Sequence, residues 1–154
     1  MTHIKQNTSG LYLDIQKIGC FFISCLDIAQ TIADRTLTIE AVNRLWDISH
    51  SLGYINKDNN VTDSAKIINR TLEYLDSDKK VREVAVFKEG RFLWYKSVDK
   101  KDRIADYFIQ KITQGGVSKT HFRVVDCKGE VIEDPHDPPI RALSVVYSIC
   151  YKEV

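Results

Sequence analysis

Hydrophobic positions recur along the chain with two different periods, one in each half. The first ten residues, MTHIKQNTSG, are polar, and Leu11 to Ile18 reads as a short extended lead broken by Gly19. Phe22, Ile23, Leu26, Ala29, Ile32 and Ala33 then follow at helical spacing, which predicts a mainly buried helix from Cys20 to Ala33. Thr38 is a good N-cap with Glu40 in the first turn. Val42, Leu45, Trp46 and Ile48 form the apolar face behind it, and Gly53 is placed to end that helix. Asn56 to Asn60 reads as a polar loop. Thr62 or Asp63 caps a third helix that turns Ile67, Ile68, Leu72 and Leu75 inward.

From Val84 the period shortens toward two. Val84 to Phe87 and Phe92 to Tyr95 flank Lys88-Glu89-Gly90-Arg91, the pattern of a hairpin with glycine in its turn. Tyr107 to Ile112 suits another strand, with a short helix as the alternative, and Gln114-Gly115-Gly116 reads as a loop. The clearest hairpin runs from His121 to Asp126, turns at Cys127-Lys128-Gly129 and returns from Glu130 to Asp134. Pro135, Pro138 and Pro139 exclude regular structure after it, and Leu143, Val145, Tyr147, Ile149 and Tyr151 alternate as a last strand. Repeats and Pro/Gly-rich linkers are absent from the sequence. The expectation is a single α+β domain over residues 1–154, its amino-terminal helices packed on a carboxyl-terminal antiparallel sheet.

Charge removes several functional classes. With 22 basic and 21 acidic residues the formal net charge is +1, which gives no electrostatic footprint for a nucleic-acid backbone or an anionic membrane. The segments Thr38–Gly53 and Thr62–Leu75 allow a helix-turn-helix reading, but the loop between them is longer than the tight turn of that motif. Cys20, Cys25, Cys127 and Cys150 include no C-x-x-C pair and no ligand spacing with the histidines, so reduced thiols are expected. Phosphate loops and dinucleotide fingerprints are also missing, and no cofactor or metal is expected. Ile18-Gly19-Cys20 superficially resembles a lipoprotein cleavage site. Asp14, Gln16 and Lys17 interrupt the apolar stretch such a site needs, and Asp27 ends the run that follows. The expected setting is therefore cytoplasmic, with no membrane partner.

Four residues carry the candidate chemistry. Cys20 follows a glycine and opens a hydrophobic helix, where the dipole and free backbone N–H groups favour a thiolate. His121 starts a strand and can serve as the imidazole partner of that thiol. Folding the chain about Cys127-Lys128-Gly129 brings residue 134, 135 or 136 opposite His121, depending on turn type and bulge. Asp134 is the candidate to orient the ring, with Asp126 and Asp137 as rivals and His136 as a rival base. Gln16, four residues before Cys20, is a candidate oxyanion donor alongside the Cys20 backbone N–H. On their own, Cys20 reads equally as a small core hydrophobe, His121 as an ordinary strand residue and Gln16 as a loop amide facing water.

Taken in order, Gln16 to Cys20 and then His121-Phe122-Arg123-Val124-Val125 through Asp134-Pro135 resemble the papain-like cysteine peptidases. The sequence is similar to the small bacterial double-glycine-leader (bacteriocin-processing) peptidases and their uncharacterised relatives. The resemblance implies a papain-like fold and a cysteine hydrolase that cleaves a peptide or amide bond through a Cys20 thioester. It implies His121 as base and acid, Asp134 as orienter, Gln16 as oxyanion donor and a peptide or protein as substrate. Two features depart from the group: Phe21 and Phe22 replace small polar residues after the cysteine, and the glutamine-to-cysteine interval is short. A catalytically inactive papain-like domain that binds a protein or peptide is the alternative; a helix-turn-helix nucleic-acid binder ranks below both.

Overall fold

A computed structural model describes residues 2–88, 105–114 and 120–154. Helices come first: α1 (Leu13–Ile18), α2 (Cys20–Ala33), α3 (Ile39–Ser51) and α4 (Ser64–Tyr74). Strands follow: β1 (Val81–Lys88), β2 (Tyr107–Gln114), β3 (Thr120–Asp126), β4 (Val131–Glu133) and β5 (Ala142–Glu153). They form one antiparallel sheet in the order β1-β5-β2-β3-β4. The α+β arrangement follows the change of period seen in the sequence.

Helix α2 is the centre of the molecule because it is apolar nearly all round, and a helix of that kind must be covered on every side. Every residue from Phe22 to Gln30 is buried, with α4 on one side and β2 and β3 on another. Two of its buried polar residues are satisfied close by. Ser24 Oγ donates to the Cys20 carbonyl at 2.8 Å, and Gln30 bonds the Leu26 carbonyl and the Leu37 N–H. The strands contribute Val81, Ile109, Val124, Ile149 and Tyr151 to the same core, while Ala105, Phe108, Val125 and Cys150 form a smaller cluster.

Local signals set the element boundaries. Thr38 Oγ1 accepts the Ala41 N–H at 3.1 Å to start α3, and Gly53, at φ 78°, follows its last turn. Asp63, not Thr62, caps α4 by accepting the Lys66 N–H. Residues 52–63 between these helices form an ordered loop, folded by the Asn56 carboxamide and closed by an Ile55–Val61 bridge. This is not the tight turn of a helix-turn-helix.

The lead into α2 differs from expectation. Leu13–Ile18 is a short helix rather than an extended segment, and it buries Ile15, with Leu11 buried just before it. Its end is tied by the Gly19 N–H, which donates to the Ile15 carbonyl at 2.8 Å. A Cβ on Gly19 would lie 2.8 Å from Ile15 Cα and press on the Ile15 carbonyl oxygen, so glycine lets α1 run directly into α2. Helix α2 runs through Asp27, which lies buried inside it.

In the second half, Tyr107 to Ile112 falls in a strand, and Gln114 ends it instead of beginning a loop. Gly115 and Gly116 lie outside the described residues. Val84 to Phe87 falls in β1, which pairs with β5; the second strand of that expected hairpin, Phe92 to Tyr95, also lies outside them. The four cysteines are unpaired. Among the described residues no helix is long and apolar enough to cross a membrane.

A candidate cysteine–histidine site

Cys20 is the first residue of α2 and is partly exposed. The thiol sits in the first turn of α2, the positive end of the helix dipole. His121 lies on β3, where it pairs with Ile112 of β2, and is 4% exposed. Phe21 and Phe122, the residues that follow Cys20 and His121, stack with centroids 4.4 Å apart. That contact holds the start of α2 against β3. Phe21, which departs from the peptidase pattern, therefore joins the two elements that carry the candidate pair.

Asp134 comes directly after β4, where the ladder to β3 has already shifted by a bulge between Val124 and Val125. The chain leaves the sheet there, and the carboxylate turns back to His121. Asp134 Oδ1 is 2.7 Å from His121 Nε2 and also accepts the His136 N–H at 2.9 Å, while Oδ2 accepts the Ile140 N–H at 3.0 Å. Burial alone raises a carboxyl, but the His121 hydrogen bond and the two backbone donors outweigh it and hold Asp134 below the usual range. For His121, burial acts to lower the ring; hydrogen bonds and charges from Asp134 and Cys20 overcome it and raise the ring to about 9. With Nε2 engaged by Asp134, the nitrogen left for the Cys20 thiol is Nδ1.

Of the rival residues, Asp126 and His136 have side-chain partners of their own. Asp126 Oδ1 accepts the Lys128 and Glu130 N–H groups and so closes the hairpin turn at Gly129, whose φ is 85°. The Asp137 backbone bonds the Asn7 side chain through both its N–H and its carbonyl. The His136 ring lies edge-on to His121, with centroids 6.3 Å apart, and its Nδ1 bonds the Pro138 carbonyl. Gln16 is not brought to the pair. It belongs to α1, and its amide points back to donate to the Leu11 carbonyl at 2.8 Å, because a helical backbone replaces the extended lead that would have aimed it forward.

The chain matches the family described as "Protein of unknown function, DUF261" over residues 1–141. It belongs to that family. No curated protein and no solved structure shows significant similarity to it. In this DUF261 protein the matched region includes Cys20, His121 and Asp134.

The amino-terminal segment of the DUF261 chain supplies neighbours of the candidate site that its sequence does not single out. Gln6 is buried; its N–H donates to the Pro135 carbonyl, and its Nε2 donates to the Gln16 carbonyl at 3.1 Å. It thus ties the loop after Asp134 to the helix before Cys20. Lys5 Nζ bonds Glu133 Oε2 at 3.1 Å and the Asp134 carbonyl at 2.7 Å. A polar segment of this kind gives no periodic signal, and only its tertiary partners reveal it.

Two further features involve sequence neighbours of Cys20, His121 or Asp134. A cleft of about 320 Å³ is lined by Phe21, Phe22, Trp46, Lys111, Phe122 and Tyr147, among others. The Lys111 ammonium lies 5.9 Å and 5.4 Å from the ring centroids of Phe122 and Tyr147. On the other side, His3, Asp27 and Glu133 converge, each offering one ligand atom within 4.8 Å of the others. Burial pushes the Asp27 carboxyl up to about 6, against the hydrogen bond and charge of His3.

Proposed function

We propose that the chain is a papain-like cysteine hydrolase that cleaves a peptide or amide bond through a Cys20 thioester. The observation that carries this reading is the buried His121–Asp134 contact at 2.7 Å, and Cys20, the first residue of α2, is among the groups that raise the ring. A ring raised to about 9 is cationic at neutral pH, which suits a thiolate–imidazolium pair.

In the proposed reaction the Cys20 sulfur attacks the substrate carbonyl carbon and the π electrons move onto oxygen. The Cys20 backbone N–H at the start of α2 is the donor available to that oxyanion. As the carbonyl re-forms, the C–N bond breaks and the leaving amine takes the proton from His121. Water then attacks the thioester carbonyl, giving a proton to His121; the C–S bond breaks, the Cys20 thiolate is restored and the acid product leaves. Asp134 keeps the ring oriented and stabilises its cationic form throughout.

A peptidyl epoxide, which alkylates activated cysteines, tests the reading. Intact mass analysis is expected to show one adduct, peptide mapping to place it on Cys20, and Cys20→Ser to abolish it. Failure of a panel of such epoxides to modify Cys20, while the unfolded chain still reacts, would favour the non-catalytic binding domain.

A further inference from the structure

We infer that His3, Asp27 and Glu133 form a binding site for a first-row divalent cation of the Zn²⁺ type. The three residues come from separate parts of the fold: the amino-terminal segment, the middle of α2 and the end of β4. His3 Nδ1 is 3.0 Å from Asp27 Oδ1 and 3.2 Å from Glu133 Oε1. Ligand atoms around a four-coordinate Zn²⁺ stand roughly 3.3 Å apart, given metal–ligand bonds of about 2 Å. The two His3 separations match that spacing, and no pair in the set exceeds 4.8 Å.

A second observation concerns Asp27 itself. Its side chain is 1% exposed, and its Oδ2 has no hydrogen-bond partner among the described residues. A carboxylate oxygen left bare inside a protein is costly. The one Nδ1 proton of His3 cannot be aligned with both carboxylates at once, so protein groups alone leave the cluster incompletely satisfied. A cation between the three ligand atoms supplies Asp27 with a positive partner and takes Glu133 and the imidazole nitrogen as further ligands.

The donor set defines the class of ion. One imidazole and two carboxylates without a thiolate suit Zn²⁺, Mn²⁺ or Fe²⁺, and too few oxygens are present for the coordination Ca²⁺ prefers. Glu133 and Lys5 are the more exposed members, with side chains 19% and 29% accessible, so an ion enters from their side. Lys5 opposes binding through its charge beside Glu133 Oε2. Since Glu133 immediately precedes Asp134, an ion here fixes the strand end that presents Asp134 to His121. The site does not depend on the hydrolase reading.

Zn²⁺ titrated into the chelator-stripped full chain by calorimetry tests the site, using Cys20→Ser so that the thiol pair does not compete. One ion per chain is expected. His3→Gln and Glu133→Gln, each in the Cys20→Ser background, are expected to weaken binding at least about 100-fold, the upper end of losses seen for outer ligand partners. Lys5→Gln is expected to tighten it. With Co²⁺ in the unmutated chain, visible bands without a thiolate-to-metal charge-transfer band are expected, which distinguishes these ligands from Cys20. Absence of saturable binding by Zn²⁺, Mn²⁺ and Co²⁺ overturns the inference. So does binding that survives both His3→Gln and Glu133→Gln unchanged. These two variants alter residues on the amino-terminal segment and the short β4, so the test does not require the core helix to tolerate a change at Asp27.

Discussion

Asp134→Ala is expected to lower stability by about 3–5 kcal/mol, the range for breaking a buried ion pair by deleting one partner. The carboxylate serves three donors at once, His121 Nε2 and the N–H groups of His136 and Ile140, and alanine replaces none of them. The same substitution is expected to let the His121 ring fall from about 9, because the principal hydrogen bond raising it is gone. Urea unfolding gives the first quantity and a proton NMR titration of the imidazole gives the second. Asp134→Asn, which keeps one acceptor oxygen without the charge, is expected to cost less stability yet still lower the ring. A loss under about 1 kcal/mol with an unchanged ring titration would show that Asp134 does not hold His121.

The second large effect is a pH dependence centred on the same ring. Folding raises His121 from its ordinary 6.5 to about 9, so the folded state holds the proton more tightly than the unfolded chain. Its contribution is fully present below pH 6.5 and is lost as pH rises through about 9. The gap corresponds to roughly 3 kcal/mol. Asp134 acts with the opposite sign: its folded value lies below 3.8, so its contribution is present above that pH and disappears as pH falls through the lower folded value. These are the two limbs of one ion pair and do not add. Unfolding free energy measured from pH 6 to 10 is expected to decline across that window, and His121→Gln is expected to flatten the decline. An equal slope in both proteins would assign the pH dependence to other groups.

The helical half of the fold was legible because burial demands a period. Phe22, Ile23, Leu26 and Ala29 could face a core together only on a helix, and the caps at Thr38 and Asp63 are chemical signals visible in the residues themselves. The His121–Asp134 relation was legible within one residue or two, since the turn at Gly129 fixes the fold-back. The bulge beside Val124 sets the register and leaves no mark in the sequence. Gln16 was misplaced for a related reason: the short segment Leu13–Ile18 takes its helical form from the burial of Ile15 and the close approach at Gly19.

What stayed hidden depended on contacts between distant residues. Asp27 reads as a polar stop after an apolar run, yet in the fold it meets His3 and Glu133 inside the protein. His3, Lys5 and Gln6 fall in a stretch with no hydrophobic rhythm, and their roles come from partners beyond residue 130 or on α1 and α2. Sequence pattern reports a residue's neighbours along the chain. It carries little about polar contacts made across more than a hundred residues.

The proposed hydrolysis requires Cys20 and His121 to act as a pair, which the rate of alkylation by iodoacetamide probes. Cys127, also partly exposed, serves as an internal reference, while Cys25 and Cys150 are buried with their thiols pushed up. In the native protein near pH 6.5, Cys20 is expected to be alkylated well ahead of Cys127. In His121→Ala its rate is expected to fall about 100-fold or more, the usual scale of an imidazole's contribution. Equal Cys20 rates in the two folded proteins, or a Cys20 that reacts only after unfolding, would contradict the pair and the hydrolase built on it.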